Sequence, residues 1–260
     1  MSLGANSGTY LDQFPDEAKL IRATFYSSFA ALFVGALMGL LQVLHRVDIL
    51  RLIPSEDYYS YLTLHAVLLV LTFTIFFLVG VFTWGVTTSL DRGLEDLRYT
   101  WAWYGLMAGG SLLAGITIIG GFFDAIPLSA AVLYTFYAPL QAHPLFYVGL
   151  ALFIVGSWFA GIDWFRSWWA WKRENPDERI PLPTFMALTT TLFWIISSLG
   201  VAISVVVFMI PWSLGLIDQV NALLTRTLFW FFGHAVVYFW LMPAYMLWYV
   251  MLPKISGGKL

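Results

Sequence analysis

Long stretches without Asp, Glu, Lys or Arg alternate with short charged segments along the chain. The stretch from Thr227 to Pro253 has 27 residues, which exceeds the roughly 20 apolar residues that a helix needs to cross about 30 Å of hydrocarbon. Five earlier stretches are also long enough, and a helix satisfies its own backbone groups inside a bilayer. The pattern therefore predicts an all-α, polytopic membrane protein with six transmembrane helices.

Polar or proline-containing loops separate the six predicted helices. The uncharged segment from Ala125 to Ile162 must hold a loop, because it contains Pro127, Pro139 and Pro144. In chain order we predict α1 from Ala23 to Leu44, α2 from Tyr59 to Leu90, α3 from Thr100 to Phe123, α4 from beyond Pro144 to about Trp171, α5 from Pro183 to Pro211, and α6 from Thr227 to Pro253.

Lys and Arg residues are unevenly divided between the two sides of the predicted membrane domain. The side that holds both termini carries ten of the 13, namely Lys19, Arg22, Arg92, Arg98, Arg166, Lys172, Arg173, Arg179, Lys254 and Lys259. The other side carries three, Arg46, Arg51 and Arg226. By the positive-inside rule, both termini are predicted to be cytoplasmic. Residues 1–22 are then a polar cytoplasmic segment, residues 23–253 the transmembrane domain, and residues 254–260 a cytoplasmic tail or a truncation point.

The composition excludes several classes of protein. Hydrophobic residues make up 60% of the chain, charged residues 11%, and the mean hydropathy is +0.79, whereas soluble domains are about 25% charged. The lipid bilayer is therefore the expected environment. No run of Lys and Arg is present to bind nucleic acid. Cysteine is absent, which excludes disulfides, thiolate zinc, iron–sulfur clusters and cysteine-ligated copper from this chain.

Candidate chemistry concentrates on one face of α6. His234 and Tyr238 are one helical turn apart, so their side chains share a face. Tyr245 and Tyr249 follow seven and eleven residues after Tyr238, within about 20° of its direction on a helix. An ionisable side chain inside a membrane indicates a functional site by default. The alternative is structural, because tyrosines are common near membrane interfaces and a lone histidine between helices often only bonds to a neighbour.

His65 is the second intramembrane histidine. It lies six residues into predicted α2, about 9 Å along the axis, and His234 lies about 12 Å beyond Arg226. We therefore expect both imidazoles in the outer third of the membrane at similar depth, as adjacent metal or heme sites require. His65 could also simply bond to a serine or a carbonyl group. His45 and His143 fall at the outer ends of α1 and α4, where we expect structural or interfacial roles.

The segments that contain His234 and His65 resemble a known family. Residues 230–245, WFFGHAVVYFWLMPAY, are similar to the sixth helix of subunit I of the heme–copper terminal oxidases. Residues 61–74, YLTLHAVLLVLTFT, resemble the second helix of that subunit. The resemblance implies that His234 binds the copper of the oxygen-reducing centre and that Tyr238 is covalently joined to it. It also implies that His65 is an axial ligand of a low-spin heme of b type.

Other segments are most similar to the B-type branch of the family, including LYTFYAPL, IPWSLGL and LPKISGGKL. A-type enzymes have His-Pro-Glu-Val-Tyr in the sixth helix, and that glutamate ends one of their proton paths. Here Val236 stands in place of the glutamate. The resemblance then implies a single proton path, and Tyr238, Tyr245 and Tyr249 are our candidates for its upper part. Nitric oxide reductases lack a tyrosine at this place, and C-type oxidases supply theirs from another helix.

The resemblance implies the N-terminal half of the catalytic subunit of a cytochrome c oxidase. Such an enzyme reduces dioxygen to water, translocates protons and lies in a prokaryotic inner membrane. The remaining copper ligands and the ligands of the high-spin heme lie in the second half of that subunit, and this chain has four histidines in total. The implied partners are that second half, a subunit II with a copper electron-entry site, and cytochrome c or a similar carrier. The alternative is a non-catalytic six-helix scaffold, or an assembly or transport subunit.

Overall fold

The computed structural model describes residues 9–49, 53–54, 57–123, 125–126 and 130–258. Arg51, Pro127 and Lys259, which entered the predictions above, lie outside the described residues. Six long helices are each apolar enough to cross a membrane, and the described residues contain no β-strand. The predicted all-α fold with six membrane-spanning helices is thereby confirmed. The helices are α1 Pro15–Arg46, α2 Tyr58–Leu90, α3 Leu97–Phe122, α4 Pro144–Glu174, α5 Leu182–Ser213 and α6 Ala222–Ser256.

Three helices begin at least three residues earlier than predicted, because charged residues lie inside them: α1, α6, and α3, which begins at Leu97 and contains Arg98. Helix α1 begins at Pro15, eight residues before Ala23, and its first turn carries Asp16 and Glu17. Proline suits the first helical position, and acidic side chains there interact favourably with the helix dipole. Helix α6 begins at Ala222, where the Asn221 side chain accepts a hydrogen bond from the backbone N–H of Leu224 at 3.0 Å. Helix ends that contain charged residues therefore extend beyond the charge-free stretches of the sequence.

Consecutive helices pack antiparallel, as α3 and α4 illustrate. A Cβ atom on Gly110 would lie 2.5 Å from the carbonyl oxygen of Gly149, so the two backbones are in direct contact there. At the other end of the pair, the Thr100 hydroxyl donates to Asp163 at 2.6 Å. Small residues permit such close approach between membrane helices. The start of α1 and the end of α6 therefore lie on one side of the bundle, which we call the terminal side, and the other is the opposite side.

Helix α2 lies at the centre of the bundle. Antiparallel to it, α1 contributes the Ser28 hydroxyl, which donates to the carbonyl oxygen of Phe73 at 2.9 Å. On other faces of α2, Phe82 packs against Trp164 of α4, and Gly85 approaches Met246 of α6. The central helix thus holds its neighbours in register, and it carries His65 near the opposite side.

Candidate functional site

His65 is held in one orientation by α1. Its Nδ1 atom lies 2.7 Å from the carbonyl oxygen of Gly35. A carbonyl oxygen can only accept a hydrogen bond, so Nδ1 carries the proton and donates it. The neutral imidazole then has its lone pair on Nε2. This is the second-shell arrangement that fixes the ring of a metal-ligating histidine.

A glycine provides the space for this imidazole. A Cβ atom on Gly39 would lie 2.6 Å from Cε1 and 2.8 Å from Nδ1 of His65, which is closer than real Cβ contacts allow. Gly39 is one helical turn beyond Gly35 on α1. The two glycines therefore have different roles at the His65 ring. The carbonyl oxygen of Gly35 accepts its hydrogen bond, and Gly39, which has no side chain, lets the α1 backbone come close to the ring.

His234 lies at an interruption in α6. Regular helix ends at Gly233 and resumes at Ala235, with His234 as a turn residue between them. The side chain of His234 is exposed, and its ring lies against that of Tyr238 with centroids 5.0 Å apart at an interplanar angle of 72°. The two rings are thus adjacent, as their spacing of four residues predicts.

The tyrosines of α6 face away from the other five helices. Tyr238, Tyr245 and Tyr249 are 50%, 37% and 59% exposed. On the face of the same helix that packs against the bundle, Phe239 and Met246 are 5% and 1% exposed. Trp194 of α5 stacks on Phe239 with ring centroids 4.2 Å apart. The face of α6 with His234 and the three tyrosines is therefore uncovered in the described part of the chain.

His65 and His234 lie at different distances from the starts of their helices, and their similar depth in the membrane stays a prediction. His65 is seven residues from the start of α2 at Tyr58, and His234 is twelve residues from the start of α6 at Ala222. These separations correspond to about 10 and 18 Å of helix axis. The cause is the Asn221 cap, which extends α6 outward through Arg226.

The other two histidines have local contacts at helix ends. His143 caps α4, because its Nδ1 atom accepts from the backbone N–H of Leu145 at 3.3 Å. The ring of His45 lies near that of Tyr58, with centroids 5.8 Å apart. Among the residues that the structure describes, no three His, Asp or Glu side chains form a group that could hold a metal ion. Within the described part of the chain, His65 and His234 therefore belong to no such group.

Asp163 is a buried carboxylate in α4 that sequence reasoning missed. Its Oδ2 atom accepts from the Thr100 hydroxyl at 2.6 Å and from Trp103 Nε1 at 3.1 Å. Its Oδ1 atom lies 3.6 Å from a guanidinium nitrogen of Arg166, whose guanidinium also stacks over the Tyr99 ring. Asp163 could have been singled out from the sequence, because an ionisable residue inside an apolar membrane helix indicates a functional or buried polar site. The partners indicate a structural role that links α3 to α4.

An apolar cavity of about 120 Å³ lies between α2, α4, α5 and α6. Leu71 and Val205 are part of its wall, and they belong to π-helical segments, Leu68–Phe73 of α2 and Ser204–Met209 of α5. Such segments occur frequently at functional sites. A cavity with walls of this kind suits small apolar molecules better than ions.

These features define a class: an all-helical membrane bundle with one oriented intramembrane imidazole and a His–Tyr pair on an uncovered face. Residues 19–260 match the family described as Cytochrome C and Quinol oxidase polypeptide I, and the chain belongs to this family, the heme–copper oxidase subunit I family. It is 38% identical over 249 residues to cytochrome c oxidase subunit 1 of Thermus thermophilus, covering 92% of this chain and 43% of that protein. It is also similar to a heme–copper terminal oxidase dimer solved by cryo-EM, with a TM-score of 0.83 and 40% identity, covering 93% of this chain and 40% of that one. The chain thus spans less than half the length of each relative.

Proposed function

We propose that this chain is the N-terminal half of the catalytic subunit of a B-type heme–copper oxidase in a prokaryotic inner membrane. The complete enzyme would take electrons from cytochrome c or a similar carrier, reduce dioxygen to water and translocate protons. The single observation that carries the proposal is the imidazole of His65. Its proton is on Nδ1, bonded to the Gly35 carbonyl, which leaves Nε2 with a lone pair for a metal.

The residues present fit the cofactors that the family implies. His65 would hold a low-spin heme of b type through Nε2, and His234 would bind copper as a neutral imidazole, a ligand type that suits both metals. The hemes and copper, when bound, supply the electron transfer and the oxygen-binding site. The ligands that complete the copper and the high-spin heme would come from the remaining half of subunit I. The uncovered face around His234 and Tyr238 supports an interface there.

Tyr238 would supply a proton, and an electron, at the site where dioxygen is reduced. A phenol carries one O–H donor, whose proton can pass to a stronger base. Contact between its ring and that of His234, with centroids 5.0 Å apart, puts the phenol beside the proposed copper ligand. The covalent bond that family members form between these two side chains is part of the proposal. The apolar cavity between α2 and α5 suits dioxygen, the proposed substrate.

The proton path would run along the exposed face of α6. Tyr245 and Tyr249 continue the face of Tyr238 toward the terminal side, over about 16 Å of helix axis. Pro243 lies inside the same helix, and its missing N–H frees the carbonyl group of Phe239 from one helical hydrogen bond. Val236, which stands where A-type enzymes have glutamate, is buried at 3% exposure and carries no proton. This supports a single path and hence the B-type assignment.

The membrane complex that contains this chain tests the proposal against the scaffold alternative. Reduced-minus-oxidised optical spectra of the purified complex should show low-spin heme, and His65→Ala should abolish that signal rather than shift it. His143→Ala is the matched control, because the His143 ring caps the start of its own helix, and it should leave the spectrum unchanged. Intact complex without heme bands, or a His65→Ala spectrum equal to wild type, would favour the scaffold.

A further inference from the structure

A groove runs along the outside of α4 at its terminal-side end. It has a volume of about 480 Å³, and its wall includes Ile162, Phe165, Arg166, Trp169 and Arg173 of α4 together with Glu95 from the α2–α3 loop. Ile162, Arg166, Trp169 and Arg173 are spaced by three or four residues, so they form one stripe along the helix. We call this feature the α4 groove.

The α4 groove extends from the membrane surface into the apolar region. Arg173 is the second-last residue of α4, and Ile162 lies eleven residues, or about 16 Å, deeper along the helix axis. Trp169, between them, is 60% exposed. Exposed tryptophan is typical of the headgroup level of a bilayer. The groove therefore has the depth of one phospholipid, with aliphatic and aromatic walls below and charged groups above.

Around the α4 groove, the positive charge of Arg173 and the negative charge of Glu95 are not neutralised by an ion pair with each other. Arg173 is exposed and has no ion-pair partner among the described residues. Glu95 is bound by Arg92, with its Oε1 atom 2.7 Å from Nε of Arg92, but the same guanidinium also binds Glu174 at 2.7 Å. One cation thus serves two carboxylates, and the loop retains a negative charge while Arg173 retains a positive one. Arg166 is already engaged by Asp163 and the Tyr99 ring.

We propose that the α4 groove binds one zwitterionic phospholipid with a primary ammonium group, such as phosphatidylethanolamine. Its phosphate would bind Arg173, its ammonium would donate to Glu95, and an acyl chain would lie along Phe165 and Ile162. A guanidinium matches phosphate geometry well, and a carboxylate accepts from an ammonium. An anionic lipid has no group for Glu95, and a quaternary ammonium cannot donate to it.

Lipid binding to the purified, delipidated complex tests this proposal. Native mass spectrometry would follow titrations with phosphatidylethanolamine, phosphatidylcholine and phosphatidylglycerol of identical acyl chains. We expect Arg173→Gln to lower the affinity of the tightest site for phosphatidylethanolamine at least five-fold. Glu95→Gln should lower it similarly while leaving phosphatidylglycerol binding unchanged. Arg173→Lys, which keeps the charge, should retain most of the binding.

The control variant is Arg179→Gln, which removes a cation from the linker that follows α4, outside the groove. Thermal unfolding of every variant should match wild type, because the substituted side chains are on the surface. The proposal is wrong if Arg173→Gln and Arg179→Gln bind phosphatidylethanolamine equally. It is also wrong if Glu95→Gln weakens both lipids alike. A complex in which another protein segment fills the groove, so that no variant changes lipid binding, would overturn it as well.

Discussion

The carbonyl oxygen of Gly35 on α1 accepts a hydrogen bond from Nδ1 of His65 on α2, at 2.7 Å. One turn further along α1, Gly39 leaves room for the same ring. The orientation of the proposed heme ligand is therefore set by a neighbouring helix and not by its own. It follows that changes on α1 should alter heme binding although α1 carries no proposed ligand.

Gly39→Ala is predicted to reduce low-spin heme content several-fold. The added Cβ would lie 2.6 Å from Cε1 of His65, so the ring must move and its bond to Gly35 must weaken. Gly109→Ala on α3 is the control, since its Cβ would meet no other atom within 4 Å. An alanine inside a helix is ordinarily favoured over glycine by about 0.5–1 kcal/mol. Low-spin heme absorbance per mole of purified protein gives the comparison, and equal heme content in both variants would contradict the prediction.

The six helices could be predicted from the sequence because charge is nearly excluded from hydrocarbon. The ends of the helices were harder to predict, since Asp16 and Glu17 lie within α1 and Arg226 lies within α6. The π-helical segments were not predictable, because they arise from packing between helices and not from local residue preference. The face with Tyr238 followed from helical periodicity alone. Its exposure depends on where the other five helices pack, which periodicity does not specify.

Gly35 and Gly39 illustrate what the sequence could not provide at the site. Glycine is common in membrane helices, and nothing in the α1 sequence distinguishes these two from Gly109. Their role depends on the register of α1 against α2, which only the tertiary structure gives. The role of Asp163, unlike that of the two glycines, could have been predicted, because an aspartate inside an apolar helix needs buried hydrogen-bond partners.

Asp163→Ala is predicted to destabilise the α3–α4 pair by about 2 kcal/mol, since a buried donor left unsatisfied costs roughly 1–3 kcal/mol. The variant leaves Trp103 Nε1 without its acceptor, whereas the Thr100 hydroxyl keeps the carbonyl oxygen of Asp96, at 3.0 Å, as an alternative acceptor. Asp163→Asn retains an acceptor oxygen, so we expect a loss of about 1 kcal/mol, near the range measured for hydrogen bonds between membrane helices. Denaturant titration of the purified complex would measure both. Asp177→Ala, on the exposed linker, is the control, and a loss no larger than the control would argue against the structural role of Asp163.

Residues 9–14, which precede α1, are predicted to detach from the bundle at alkaline pH. The Tyr10 hydroxyl lies 2.7 Å from Oγ1 of Thr87, and burial raises the pKa of Tyr10 to about 12, a shift that the Thr87 hydrogen bond opposes and Glu17 reinforces. A detached Tyr10 would have a pKa of about 10. Because the attached state binds the proton more tightly, attachment is fully favoured below pH 10 and weakens as the pH rises toward 12.

A spin label on Gln13→Cys can report this detachment, because the chain has no other cysteine and Gln13 is exposed. Its mobility should increase between pH 10 and pH 11.5. In a Tyr10→Phe background that pH dependence should disappear, since phenylalanine has no proton to lose. A transition of the same size in both backgrounds would assign the effect to another group.

The face of α6 gives the prediction that bears most directly on function. Tyr238→Phe should abolish oxygen consumption while leaving low-spin heme in place, because the ring still packs against His234 but has no proton to donate. Tyr249→Phe should slow turnover a few-fold only, because this phenol is 59% exposed in this chain, and a water molecule can replace one donor in a chain of hydrogen bonds. Tyr26→Phe is the control, since Tyr26 is 72% exposed on α1 and belongs to no proposed path.

Steady-state oxygen consumption, matched for heme content, is the measurement for these variants. Wild type and Tyr26→Phe should be fastest, followed by Tyr249→Phe and last by Tyr238→Phe. Near wild-type turnover by Tyr238→Phe would remove the proposed catalytic role of this residue, and equal rates for Tyr249→Phe and Tyr26→Phe would remove Tyr249 from the proton path.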